Sequence, residues 1–185
     1  MIGATAPTLL VSPLAAVTLL RRPQVATWSQ PSDDQESQMK PDVQGGVTDL
    51  DEAELLRRAR EVRSRAYVPY SGFRVGAVVV TRDGRWFEGV NVENASYRLT
   101  SCAEQTAITR MVAEVGRSEI VAVATVGDGN DPCTPCGACR QTIFEFGPEA
   151  TIYASGDGGR PLVISMSELL PHAFGPKRLS QGHPG

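Results

Sequence analysis

FRVGAVVVTRDGRWFEGVNV, residues 73–92, decides the architecture. Val75, Val78, Val79 and Val80 make 73–81 a strand, and 86–92 reads as its return strand. Between them, Asp83-Gly84 is a two-residue hairpin signal, because both positions tolerate positive φ. Downstream, 100–115 carries a helical period stopped by Gly116. Residues 120–126 form a short aliphatic run suited to a strand buried on both faces. Pro135 opens a second helix that runs to about Phe146 and ends at Gly147-Pro148. Residues 151–154 and 162–164 are the last strands, joined through Asp157-Gly158-Gly159, and Ser167 starts a short helix limited by Pro171. Upstream, Thr48 is an N-cap candidate, and Asp49, Asp51 and Glu52 suit a first turn. Leu55, Leu56, Ala59 and Val62 then recur at helical spacing. A hairpin followed by β-α alternation predicts an α/β fold. It should be a three-layer α/β/α sandwich around a mixed sheet of about five strands.

The chain has 185 residues, 41% of them hydrophobic but only 6% aromatic, so the expected core is aliphatic. Eighteen Lys+Arg against 21 Asp+Glu give a net charge of −3, which argues against bulk-charge binding of nucleic acid. Arg57, Arg58, Arg60, Arg63 and Arg65 crowd the first helix, but such a run is more often a solvated face. No apolar run of about 18 residues exists, so no membrane span is expected. Residues 1–46 differ from the rest: Pro7, Pro13, Pro23, Pro31 and Pro41 interrupt a polar and small-residue stretch without a lasting period. Arg21-Arg22 follow the apolar part, the reverse of a secretory signal. An organelle transit peptide is one alternative and initiation near Met39 another. The favoured expectation is a disordered extension preceding one domain over 47–180.

The four cysteines are Cys102, Cys133, Cys136 and Cys139. Their crowding suggests metal ligation rather than a disulfide scaffold, and thiolate ligands imply a reducing, cytoplasmic setting. Cys102 lies at one predicted helix start. Cys136 and Cys139 lie one turn apart at another. Helix N-termini favour thiolate. Three sulfurs converging on a point suit tetrahedral Zn²⁺ with a fourth position open, the catalytic pattern. Glu104 can lean over that position and move a proton. By themselves these residues also allow a structural zinc clip and an ordinary first-turn acid. Cys133 is taken as a spare thiol, with a four-thiolate site as the alternative. Tyr67 and Tyr70 flank a proline and are expected to pack, with a pocket role as the second choice. His172 and His183 have no partner at ligand spacing and read as surface residues.

Six ordered motifs then coincide: Ala66-Tyr67-Val68-Pro69-Tyr70-Ser71; Phe73 to Ala77; Gly89 to Tyr97; Cys102-Ala103-Glu104; Pro135 to Gln141; and Glu168 to Pro171 with Phe174-Gly175-Pro176. Together they span about 50–176, and in them the chain resembles the small, homotetrameric-type zinc-dependent cytidine deaminases. The resemblance implies hydrolysis of cytidine and 2′-deoxycytidine to the uridine forms plus ammonia, in pyrimidine salvage. Water activated by zinc adds to C4. Glu104 takes its proton, protonates N3, and helps the amino group leave. By the same likeness, Asn91 and Glu93 hold the ribose 3′-hydroxyl and Phe73 packs on the base. Ala103 and Tyr97 also join the substrate-binding set. Tyr97 and Phe174 match positions shared between subunits, so a homotetramer is expected.

The chain departs from the family in one place near the chemistry: Gln105 stands where many members have arginine. A trithiolate zinc site is net negative and needs positive or N–H partners. Arg140, directly after Cys139, is one candidate for that supporting role beside Gln105, and Arg98 is another. Two rival functions share the cysteine motifs: deamination of a cytosine-containing nucleoside antibiotic, and a non-catalytic zinc-stapled binding module.

Overall fold

The computed structural model describes residues 50–175; the expectations for Thr48, Asp49, Pro176, His183 and the first 46 residues lie outside the described residues. The first helix, α1 (Glu52–Arg63), starts at an Asp51 cap whose carboxylate accepts from the Ala53 amide at 2.9 Å. An acid at this place satisfies a free N–H and complements the helix dipole. Its Leu55, Leu56, Ala59 and Val62 are buried.

Five strands follow: β1 (Val75–Thr81), β2 (Trp86–Val90), β3 (Ile120–Gly127), β4 (Thr151–Ser155) and β5 (Leu162–Ser165). They form one mixed sheet in the order β2-β1-β3-β4-β5, antiparallel except for the β3–β4 pair. A parallel pair needs a crossover. Here α3 (Gly137–Phe146) supplies it, while α2 (Ala103–Val115) lies between β2 and β3 in the chain and α4 (Met166–Leu169) ends it.

The alternation of β1 and β3 makes both faces apolar. Val78, Val80, Ala122, Ala124 and Val126 pack under α1 with Leu55, Leu56 and Ala59. Val79 and Val123 face the other way and pack with Ile108 and Met111 of α2, Ile143 of α3, and Met166 and Leu169 of α4. The sheet therefore has helices on both faces, as expected. On the second face the helix approach is close. A Cβ on Gly89 would lie 2.4 Å from the Ala103 carbonyl oxygen and from the Ala107 nitrogen, so only glycine lets α2 settle on β2.

Local boundaries depart from the sequence expectations for physical reasons. The β1–β2 turn has three residues, 82–84. The Thr81 amide donates to Arg85, the Gly84 amide donates to Thr81, and only Gly84 is left-handed (φ 81°). Asp83 keeps negative φ and binds the Thr81 hydroxyl. Residues 100 and 101 are drawn out of α2 because Ser101 and Val92 exchange backbone hydrogen bonds, each 3.0 Å long. Pro135 precedes the Cys136 N-cap of α3 instead of opening the helix, and Ser165, not Ser167, caps α4. No helix among the described residues is long and apolar enough to cross a membrane.

The arginine-rich face of α1 is largely spent within the protein. Arg57 pairs with Glu54 and Glu61, and Arg58 pairs with Glu54 while lying over the Trp86 ring. Arg63 is the structural one. It donates to the Gly127 carbonyl at 2.6 Å and to the Asp157 carboxylate at 2.6 Å, tying α1 to the end of β3 and to the β4–β5 loop. In Arg63→Ala we expect a loss of about 2 kcal/mol, the scale of a charged hydrogen bond, read by urea melts. The Arg63 guanidinium holds the Asp157 carboxyl below its ordinary value. A depressed carboxyl stabilises above its unfolded pKa, and that stability is lost as pH falls through the folded one. Acid melts of Arg63→Ala should therefore show a shallower dependence below about pH 4.

Candidate active site and metal centre

Two helix tips build the centre. Cys102 is the N-cap of α2 and Cys136 the N-cap of α3, and in both the side chain makes no capping hydrogen bond. The sulfurs are thus left free to face outward from the tips, where unpaired amides and the helix dipoles favour negative charge. Cys139 lies in the first turn of α3 and is buried. The ligand atoms of Cys102, Cys136 and Cys139 all lie within 4.8 Å of one another, and the Cys102 and Cys136 sulfurs are 4.0 Å apart. Tetrahedral zinc with Zn–S bonds of about 2.3 Å needs sulfurs about 3.8 Å apart. Geometry and donor chemistry therefore fit this ion. The trio grades from buried Cys139 through Cys102 to exposed Cys136, so one side stays open to solvent.

The thiols interact with one another. Hydrogen bonding from Cys139, and secondarily from Cys136, pulls Cys102 down to about 7 against the cost of burial. Cys139 is raised as the donor to Cys102 and by its burial. Glu104 occupies the first turn of α2 with only 5% of its surface exposed, and burial pushes its carboxyl up. A protonatable carboxyl beside three sulfurs can accept, hold and return a proton.

Cys133 stands outside the trio. Its thiol is pushed up to about 11, first by burial and then by the Glu104 and Cys102 charges, so it is a neutral wall group within electrostatic reach of the centre. A Cβ on Gly127 would touch Cys133 Sγ at 2.8 Å and Phe73 Cζ at 3.0 Å. That one point links the Phe73 ring, 44% exposed, to the wall beside Glu104.

Asn91 and Phe73 are joined. The Asn91 amide donates to the Phe73 carbonyl at 2.9 Å and its oxygen accepts from the Val75 amide at 2.8 Å. One N–H and one lone pair stay available for a ligand. Glu93 accepts from the Tyr70 and Ser71 amides at 2.9 and 3.2 Å through one oxygen and also from the Ser71 side chain; a carboxylate with about four lone-pair sites keeps acceptor capacity for a ligand. Ser71 and then the Tyr70 amide hold this carboxyl below its usual range. Glu93, Tyr70, Ser71, Tyr97 and Thr100 line a cavity of about 250 Å³. The Tyr70 and Tyr97 rings meet edge to face, 5.8 Å between centroids. Tyr67 and Tyr70, expected first to pack, are about half exposed, and Tyr70 takes the second expected role by lining this cavity.

The remaining expected residues take these places. Ala103 is fully buried at the first position of α2, where a helix-tip amide is what it can present. Arg140 reaches back along α3 and donates to the Pro135 carbonyl at 2.8 Å and the Leu169 carbonyl at 3.0 Å; its hydrogen bonds go to backbone oxygen, not to sulfur. Gln105 lies along a depression with Ser101, Thr106 and Thr142 on the outer side of α2. Arg98 is exposed on a 3-10 turn, with no hydrogen bond or ion pair to the thiols. Phe174 is exposed, and Gln141 holds its carbonyl at 2.8 Å. His172 is exposed, as expected.

Two residues absent from the sequence expectations also shape the centre. Thr106 donates to the Val90 carbonyl at 2.8 Å and holds the tip of α2 on β2. Thr125 donates to the Cys133 carbonyl at 2.6 Å. The signal available for Thr125 was a hydroxyl inside the apolar run Ile120–Gly127, where every neighbour is aliphatic or glycine.

Known proteins share these features. A family model described as the cytidine and deoxycytidylate deaminase zinc-binding region matches residues 50–155. A cytidine deaminase of Halalkalibacterium halodurans is 47% identical over 126 residues, covering 68% of this chain and 95% of the relative. One of Sporosarcina psychrophila is 40% identical over 132 residues, covering 71% and 96%. Among solved structures, a cytidine deaminase from Burkholderia pseudomallei is similar with a TM-score of 0.65 and 44% identity. It covers 68% of this chain and 100% of that one.

Proposed function

The chain belongs to the cytidine and deoxycytidylate deaminase family, and from that premise we propose that it is a zinc-dependent cytidine deaminase: cytidine or 2′-deoxycytidine plus water gives the uridine form plus ammonia. One observation carries the reading: a trio of thiols at two helix tips lies within electrostatic reach of the buried Glu104 carboxyl.

Cys102, Cys136 and Cys139 would hold zinc, which when bound would supply the Lewis acidity that makes water nucleophilic near neutral pH. Glu104 takes one proton from the attacking water as the water oxygen adds to C4 and delivers that proton to N3 of the ring. It then passes the remaining hydroxyl proton to the amino group, so the C4–N bond breaks as the C4=O double bond forms and ammonia leaves. Burial suits Glu104 to both halves of this transfer, since it destabilises the permanently charged form. Phe73 packs on the base, and Asn91 and Glu93 use their remaining N–H and acceptor capacity on the ribose 3′-hydroxyl. Arg140 acts on the centre through the Pro135 carbonyl next to Cys136, and Gln105 makes no hydrogen bond to the thiols among the described residues. The Ala103 amide lies at the substrate end of the same helix tip.

A homotetramer is part of the proposal. Tyr97 is 74% exposed, Leu99 65% and Phe174 57%, and large apolar side chains left at the surface are what subunit contact covers. We assign catalysis to residues 47–180, with 1–46 as an extension, and place the enzyme in the cytoplasm, where thiolate ligands stay reduced.

The test is direct. Zinc-loaded protein given cytidine, deoxycytidine and a cytosine-bearing nucleoside antibiotic in parallel should convert the first two, releasing one ammonia per uridine. Conversion of the antibiotic alone would move the substrate assignment. Zinc-bound protein that leaves all three unchanged from acid to alkaline pH would make the chain an inert zinc-stapled module.

A further inference from the structure

On the face of the sheet that carries α2 and α3, β3 presents Val123, Thr125 and Gly127 in turn. Val123 is core. Gly127 lies under the Cys133 side chain. Thr125, between them, is fully buried, and its hydroxyl has a single partner among the described residues, the Cys133 carbonyl at 2.6 Å. The other side of the same residue is held more loosely, with the Cys133 amide donating to the Ser155 carbonyl at 3.3 Å. Two residues later, Arg140 holds the Pro135 carbonyl at 2.8 Å. The loop that ends in Cys136 is thus tied down at Cys133 and at Pro135.

A valine would suit this strand position as well in shape and better in hydropathy, since a buried hydroxyl costs free energy unless it is bonded. Thr125 has Ala77 and Ala154 as its cross-strand neighbours, so packing does not demand oxygen here. The hydroxyl's one use is the loop. We propose that Thr125 is a positioning residue for the metal trio: through the Cys133 carbonyl it sets the loop that presents Cys136 and Cys139. The inference rests on the reading of that trio as the zinc centre. Metal–ligand distances tolerate only about 0.2 Å of misplacement. A loop freed three residues upstream shifts two of the three sulfurs relative to Cys102. Outer-shell partners of this kind change metal affinity by about 10- to 100-fold.

The experiment compares the parent with Thr125→Val and Thr125→Ser as full-length, zinc-loaded proteins. Zinc affinity and release rate are read with a chromogenic chelator, and melting of each zinc-free form is recorded. Thr125→Val should bind zinc about 10- to 100-fold more weakly, with zinc-free melting within a few degrees of the parent, while Thr125→Ser stays within about threefold of the parent. Undiminished affinity in Thr125→Val would overturn the assignment, as would equal losses in both variants. So would a collapse of zinc-free melting in Thr125→Val, which would make the hydroxyl a general prop for the fold. A parent protein that binds no zinc would instead overturn the reading of the trio itself.

Discussion

Glu104→Gln should lower the turnover number about 10³- to 10⁴-fold with zinc content unchanged, the upper range for loss of a general acid–base group. Glutamine keeps the size and hydrogen-bonding reach of the side chain but cannot take a proton from water or hand one to N3. The residue sits in the first turn of α2 with 5% exposure, and the ion-facing sulfurs belong to other residues, so the substitution should spare the metal and the fold. KM should change far less than the turnover number, because the interaction removed is one made during proton transfer. Kinetics and metal analysis on the same preparation check this. Loss of zinc in step with activity would mean that the carboxyl acts as a ligand or a scaffold instead.

Cys102→Ser and Cys133→Ser should separate completely. Cys102 is one of three sulfurs within 4.8 Å and is the one drawn down to about 7, so its replacement by an alcohol removes a thiolate. If the three thiolates share a binding free energy on the order of 10–16 kcal/mol, losing one costs roughly 4 kcal/mol, or about 10³-fold in zinc affinity. Activity should vanish with the metal. Cys133 is outside the trio and its thiol is raised to about 11, so Cys133→Ser should keep full zinc occupancy. Zinc loss in Cys133→Ser would revive the four-thiolate alternative.

The cysteine cluster was legible in the sequence because its parts are close along the chain, while the deaminase chemistry was implied by the resemblance of six ordered motifs. Cys102 and Glu104 are two residues apart, Cys136 and Cys139 one helical turn, and each pair caps a helix whose period is visible in its apolar residues. The hairpin and the β-α alternation were legible for the same reason. What the sequence hid depends on contacts between distant segments. Thr125 looks like an ordinary β-branched strand residue until the loop eight positions on is folded against it. Arg63 looks like one more solvated arginine until Gly127 and Asp157 come to it. Tyr70 offered a ring to be packed, yet its backbone amide holds the Glu93 carboxylate while the ring stands at the surface. Helix starts slipped for a related reason: the bridge between Val92 and Ser101 is a tertiary contact, and it decides that α2 begins after Cys102.

The one parallel pair among the five strands of the sheet, β3 with β4, bears on when the trio can settle as the chain folds. The β1–β2 hairpin closes locally, so it can form early, whereas β4 can dock on β3 only after the crossover bearing Cys136 and Cys139 has emerged. Until that docking, the Ser155 carbonyl is not in place for the Cys133 amide, and the two later sulfurs have no settled position relative to the first. A fragment ending before β4 should therefore bind zinc more weakly than the full chain and leave its thiols open to oxidants.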